Sequence, residues 1–201
     1  MTILAIVGKA DKRVAAYPLM KTLSLMGKTC VITDDVTYRR LYSGTEDNGI
    51  INDVEIFIRK DLSRALAERM EMEKEANGCD YLLYLTDTFI PDHAEKVVAL
   101  CSQSRTFCGE DIEGLREEDE EGRIVFATMA LYAKPKNYWG VPLTQILWKP
   151  DYVEYVCDTE ERRILMPLKD KIMDEFICTT FADILKLTPQ NMKKIMNRKL
   201  D

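Results

Sequence analysis

The residues best suited to chemistry stand at the ends of three apolar runs. The first run, Ile-Leu-Ala-Ile-Val at 3–7, leads into Gly8 and Lys9, with Lys12 and Arg13 just behind. Cations beside a glycine after a buried strand are the raw material of a phosphate-binding loop. The second run, 30–32, ends on Thr33, Asp34 and Asp35, and the third, 81–85, ends on Thr86 and Asp87. Ligands of open α/β sheets bind outside the carboxyl ends of the strands, so Asp34, Asp35 and Asp87 can converge there. Carboxylates around a small gap can hold Mg²⁺, with substrate phosphates completing the shell. Aspartates serve equally well in turns and caps, where they satisfy loop amides. A phosphate cradle also needs successive N–H groups with little side-chain bulk around them. Ala10, Asp11, Lys12 and Arg13 supply bulk instead, and Asp11 adds negative charge where a triphosphate would sit.

Regular elements must position these groups. Over 2–35 the chain reads as strand, loop, helix and strand. The apolar run ends at Gly8, Leu19, Met20, Leu23 and Met26 recur at helical spacing, and Gly27-Lys28 closes the helix before the second run. This is one half of a parallel βαβ layer, the unit that places nucleotides at its first loop. Further strands are expected at 54–58, 81–86, 123–129 and 152–156, joining 2–8 and 29–33. A helix with Leu62, Leu66 and Met70 on one face is expected after a cap at Asp61 or Ser63, ending at Asn77-Gly78. A second, after Pro91, carries Ala94, Val97, Val98 and Cys101. Asp158 or Thr159 can cap a helical turn at 160–163, and Leu165, Leu168, Ile172, Met173 and Phe176 have helical spacing. The last helix starts with Thr188 as cap and Pro189 in its first turn. The expected architecture is a three-layer α/β fold with a mostly parallel, doubly wound sheet. A single domain over 1–201 is expected, with an acidic exposed loop at 109–122 and a C-terminal helix at 188–201.

This layout resembles the ParA/MinD-type P-loop ATPases. Their first strand runs into a KGGxGKT loop, then a helix ending in Leu-Gly-Lys, then a strand ending in an Asp-bearing turn. Gly8-Lys9 matches the start of that loop, with Lys9 on the signature lysine. Residues 25–28, Leu-Met-Gly-Lys, match the helix end, and Asp35 matches the acid after the second strand. Residues 79–87, CDYLLYLTD, resemble the strand that carries the Walker B acid. The similarity covers about the first half of the chain. Ala10, Asp11 and Arg13 fall on family glycines, Val14 on the phosphate-binding lysine and Ala15 on the Mg²⁺-binding threonine. The resemblance therefore implies a P-loop NTPase-like fold with an eroded loop and no hydrolysis by the family mechanism.

From the resemblance the expected role is a non-hydrolysing pseudo-ATPase. It would bind or scaffold proteins in positioning, segregation or secretion machinery, as a homodimer or as a heterodimer with an active relative. The cofactor-binding candidates are Gly8, Lys9, Lys12, Arg13, Asp35 and Asp87. No catalytic or metal-ligating residue is assigned and no cofactor is expected, ATP with Mg²⁺ being the one the loop would still admit. An alternative is a nucleotide- or sugar-phosphate enzyme at the carboxyl edge, with Lys9, Lys12 and Arg13 on phosphate. An oxidoreductase is weaker, since no G-x-G-x-x-G follows the first strand.

Composition narrows the rest. The 201 residues carry 28 basic and 34 acidic side chains, a net charge of −6, which argues against nucleic-acid binding by the whole surface. The C-terminal cations Lys186, Lys193, Lys194, Arg198 and Lys199 form the local exception; a solvated helix face explains them as well. No apolar run approaches the ~18 residues of a membrane helix, and no secretory leader is evident. Six scattered cysteines without C-x-x-C, and a single histidine, His93, point away from zinc and towards a reducing, cytoplasmic setting. Residues 110–122 carry eight acids against Arg116, a hydrated loop or a dock for a basic partner. Tyr132, Lys134, Lys136, Tyr138, Trp139, Trp148 and Lys149 interleave aromatics with cations; they can stack on bases or simply pack over a sheet edge.

Overall fold

In the computed structural model the described residues are 1–87, 89–101, 114–117, 122–130 and 144–198. The strands are β1 (Thr2–Val7), β2 (Thr29–Thr33), β3 (Asn48–Ile51), β4 (Val54–Ile58), β5 (Tyr81–Thr86), β6 (Lys96–Cys101), β7 (Ile124–Ala130) and β8 (Thr144–Leu147). The helices are α1 (Arg13–Ser24), α2 (Arg64–Ala76), α3 (Pro150–Arg162), α4 (Lys171–Phe181) and α5 (Pro189–Met196), with a 3-10 helix at Val36–Leu41. The strands form one sheet in the order β3-β4-β2-β5-β1-β6-β7-β8, parallel except where β3 meets β4.

Alternation along β1 assigns the two faces. Leu4 and Ile6 look towards α1, α3, α4 and α5, joining Val31, Leu83, Leu85 and Val98 in the larger core. Ile3, Ala5 and Val7 look towards α2, with Ile32, Leu82, Tyr84 and Val97. A parallel strand covered on both faces is apolar at nearly every position, which is why its pattern is a continuous run. The chain leaves β1 towards β2 and β4, returns to insert β5 beside β1, and then continues on the other flank through β6 to β8. The direction of winding thus reverses at β1, so the ends of β1, β2 and β5 border the crevice where such sheets bind ligands.

Two expected elements take the other form. Residues 152–156 are helical, within α3, and not a strand. Tyr152, Tyr155, Val156 and Thr159 are buried at helical spacing, and Pro150 fills the first turn as its fixed φ allows. Asp158 and Thr159 lie inside that helix and cap nothing. The helix expected after Pro91 is instead β6, because Val97–Cys101 is buried on both faces between β1 and β7. The spacing at 165–176 is likewise only half helical: α4 starts at Lys171, where the Asp170 carboxylate accepts from the Ile172 and Met173 amides. The sheet also includes β3, which is not among the expected strands; its hairpin turn to β4 places Asn52 and Asp53 at φ 43° and 63°, as a type I′ turn requires. Ser63 is the residue before α2, without a capping side-chain bond, and Thr188 caps α5 through the Asn191 amide.

The acidic run 110–122 and the aromatic–basic segment 132–139 lie largely outside the described residues; 114–117 form a helical turn. Trp148 packs against the larger core, and Lys149 is paired with Asp170. Cys30, Cys79, Cys101 and Cys178 are buried free thiols, and Cys157 is an exposed one. Among the described residues no helix is long and apolar enough to cross a membrane.

Lys21 of α1 is fully buried, and its ammonium donates to the carbonyls of Met196, at 2.8 Å, and Arg198. It ties α5 to α1 by capping the last turn, where a cation meets the negative end of the helix dipole. Burial and the neighbouring Arg198 pull its pKa from 10.5 down to about 8. The unfolded chain therefore binds more protons between those values, and stability gained through this group rises with pH across that window. We expect the unfolding midpoint of the wild type, measured relative to Lys21→Met, to rise from pH 8 towards pH 10.5. Subtracting the variant cancels the thiols and tyrosines that titrate in the same range, so a flat difference would contradict the assignment.

Candidate functional site

The carboxyl ends of β1, β2 and β5 carry the residues singled out above. Gly8 ends β1 with φ +111°, its amide donating to the Thr86 carbonyl at 3.0 Å. A Cβ here would sit 2.3 Å from the Leu100 carbonyl oxygen of β6, so the close approach of backbones itself demands glycine. Lys9 is exposed on the loop that follows.

Lys12 turns back into the loop. Its side chain is 3% exposed, its ammonium donates to the Gly8 carbonyl at 2.7 Å, and it is paired with the Asp87 carboxylate at the end of β5. Lys12 is also the residue before α1, whose first N–H groups have no helical partner of their own. One of them, the Arg13 amide, donates to the Asp11 carboxylate at 3.0 Å. The Arg13 guanidinium grips the same carboxylate through Nε at 2.9 Å and Nη2 at 2.7 Å. Burial works to raise the Asp11 carboxyl, but these bonds from Arg13 outweigh it and hold the carboxyl below the usual range. The Asp11 hydrogen bond in turn raises Arg13 further.

The aspartates are engaged separately. Asp35 caps the 3-10 helix, accepting from the Thr37 amide at 2.8 Å. Asp34 accepts from the Thr86 hydroxyl at 2.9 Å and the Asp87 amide at 3.1 Å, stitching β2 to β5. Among the described residues no group of three His, Cys, Asp or Glu side chains is placed to hold a metal ion. The convergence of Asp34, Asp35 and Asp87 on one cation is therefore not what the fold builds. His93, likewise, stands away from this edge, against Glu71 of α2.

Sequence reasoning missed Glu160. From α3, its side chain only 10% exposed, it accepts from Arg13 Nη1 and the Tyr17 hydroxyl, each at 2.9 Å, and pairs with Arg40 at 3.6 Å. Tyr17 meets Tyr38 edge to face, with ring centroids 5.9 Å apart, and burial raises the pKa of both hydroxyls. Glu160 lies 147 positions from Arg13, so no local pattern could join them. We expect Glu160→Gln to keep the tyrosine bond, lose both ion pairs and lower stability by about 1–2 kcal/mol, read from the urea midpoint.

An open, mostly parallel sheet whose winding reverses at a central strand, with helices on both faces, is a doubly wound α/β fold. Within that class, the chain is similar to the MinD cell division protein of Aquifex aeolicus, with a TM-score of 0.61 at 12% identity over 100% of this chain and 99% of that one. A chain of the MinC:MinD cell division protein complex of Aquifex aeolicus gives the same TM-score, at 10% identity over 100% and 98%. Apo McdA of Cyanthece aligns at a TM-score of 0.47, with 10% identity over 96% and 99%. No family model matches the chain, and no curated protein matches its sequence. The fold is thus the α/β fold of MinD, as the resemblance of the first half implied.

Proposed function

We propose that this chain is a non-hydrolysing, ParA/MinD-like pseudo-ATPase that acts as a protein-binding or scaffolding component of a positioning, segregation or secretion apparatus. One observation carries the reading: the loop after β1 is filled by its own charges. The buried Lys12 ammonium, on the Gly8 carbonyl and Asp87, takes the place of a cation at the carboxyl edge. The Asp11 carboxylate, on the Arg13 amide, takes the place of an anion at the start of α1. ATP with Mg²⁺ does not fit this arrangement. A triphosphate would meet Asp11, and the positions of the phosphate-binding lysine and metal-binding threonine belong to Val14 and Ala15, which are 5% and 2% exposed and packed in the core.

In this reading Gly8, Lys9, Lys12, Arg13, Asp35 and Asp87 form a closed descendant of a nucleotide edge, useful as a rigid surface. The likeness to a MinD chain solved with MinC supports a partner-binding role. Assembly with a second copy or with an active relative, and residence in the cytoplasm, belong to the same proposal. Purified protein is expected to turn over neither ATP nor GTP with Mg²⁺. Robust turnover that is lost in Asp35→Ala would overturn the proposal.

A further inference from the structure

Between β5 and β6 the chain crosses the first turns of α2. Phe89, Ile90 and Ala94 are buried there, in the smaller core that also contains Ala67 and Met70 of α2. Polar contacts hold both ends of this strap. Arg64 donates to the Ile90 carbonyl at 3.1 Å and pairs with Asp92, its guanidinium 5.8 Å from the Phe89 ring centroid. The Glu95 amide donates to the Ile3 carbonyl at 2.8 Å. The middle is held differently. The Glu71 side chain of α2 is 8% exposed and sits 2.7 Å from Nδ1 of His93, whose own side chain is 66% exposed.

A buried carboxylate is tolerable when a partner charge and hydrogen bonds compensate it, and costly once that partner is removed. Here the charged partner is the only histidine of the chain. We propose that residues 89–95 form a proton-sensitive strap latched by His93 on Glu71, closed while the imidazole is protonated and loosened once it loses its proton. The remaining charged groups facing His93 reinforce this direction. Asp92 from the strap and Glu68 from α2 favour the imidazolium, and the Tyr84 hydroxyl of β5, beside Glu71, is uncharged in this range. Arg64 and Arg123 spend their guanidinium groups on the strap, Arg64 on Asp92 and Arg123 on the carbonyls of Asp92 and Ala94. The hydrogen bond to Glu71, then its charge, raises His93 above its ordinary 6.5. A histidine raised on folding contributes stability that is complete below 6.5 and lost as pH rises through the folded value.

The test uses the full chain. Proton NMR follows the single histidine, and amide hydrogen exchange, corrected for intrinsic rates, is compared at about pH 6 and about pH 8. In the wild type the histidine should titrate above 6.5, and protection of 89–95 should fall several-fold between the two conditions while β5 keeps its own. In Glu71→Gln, which preserves shape, the histidine should move back towards its ordinary value and the pH difference in protection should vanish. A wild-type histidine titrating at or below 6.5 would overturn the strap. So would equal protection at both pH values, or a loss shared by the whole sheet.

Discussion

Gly8→Ala should destabilise the fold by about 3 kcal/mol or more. Two causes add. At φ +111° an L-side chain is strained, and its Cβ would lie 2.3 Å from the Leu100 carbonyl oxygen, where nothing flexible can give way. Gly8 stands between β5, through its bond to Thr86, and β6, so relief would require parting the two central strand pairs. Urea unfolding of the purified variant measures the effect. A change within about 0.5 kcal/mol, the scale of an ordinary surface substitution, would mean that the close approach is not made.

The second large effect concerns Lys12. Lys12→Met removes the charged donor from the Gly8 carbonyl and the partner from Asp87, and is expected to cost about 1.5–3 kcal/mol, the range for hydrogen bonds to charged groups. Asp87 is 44% exposed, so water recovers part of its loss, whereas the bond to the Gly8 carbonyl is buried. A double-mutant cycle with Asp87→Asn isolates the pair. Residues in contact couple by about 0.5–3 kcal/mol, and a coupling of that size is expected here. Additivity within about 0.3 kcal/mol would place the Lys12 ammonium elsewhere and reopen the loop.

The first half of the fold was legible because it obeys simple periods. β1, β2 and β5 are apolar runs closed by glycine or aspartate, β4 alternates, and α1 carries a clear apolar stripe before Gly27. The errors arose where two periods coincide. In β6 every residue from Val97 to Cys101 is apolar, so a helical spacing can be picked out of a strand that is simply buried on both sides. In α3 the β-branched and aromatic residues of 152–156 suggest a strand, yet burial follows positions 152, 155, 156 and 159; Pro150 was the available signal. β3 is short and mostly exposed, with only Ile51 buried, and its Asn52-Asp53 turn is what announces a hairpin.

The site was legible as a set of residues and not as an arrangement. Gly8, Lys12 and Asp87 do meet, because βαβ topology brings the ends of β1 and β5 together. That Lys12 and Asp11 would satisfy the loop from within depends on side-chain direction, which spacing does not encode. Asp35 is used as a cap, the everyday role of its residue type, and Glu160 arrives from the far end of the chain.

A loop occupied by its own charges leaves no place for a nucleotide, and calorimetric titration with ATP, ADP and GTP, with and without Mg²⁺, measures this. No binding is expected at millimolar nucleotide. Micromolar, Mg²⁺-dependent binding, worth about −8 kcal/mol, would exceed anything Lys9 and Arg13 could supply from the loop's surface and would contradict it.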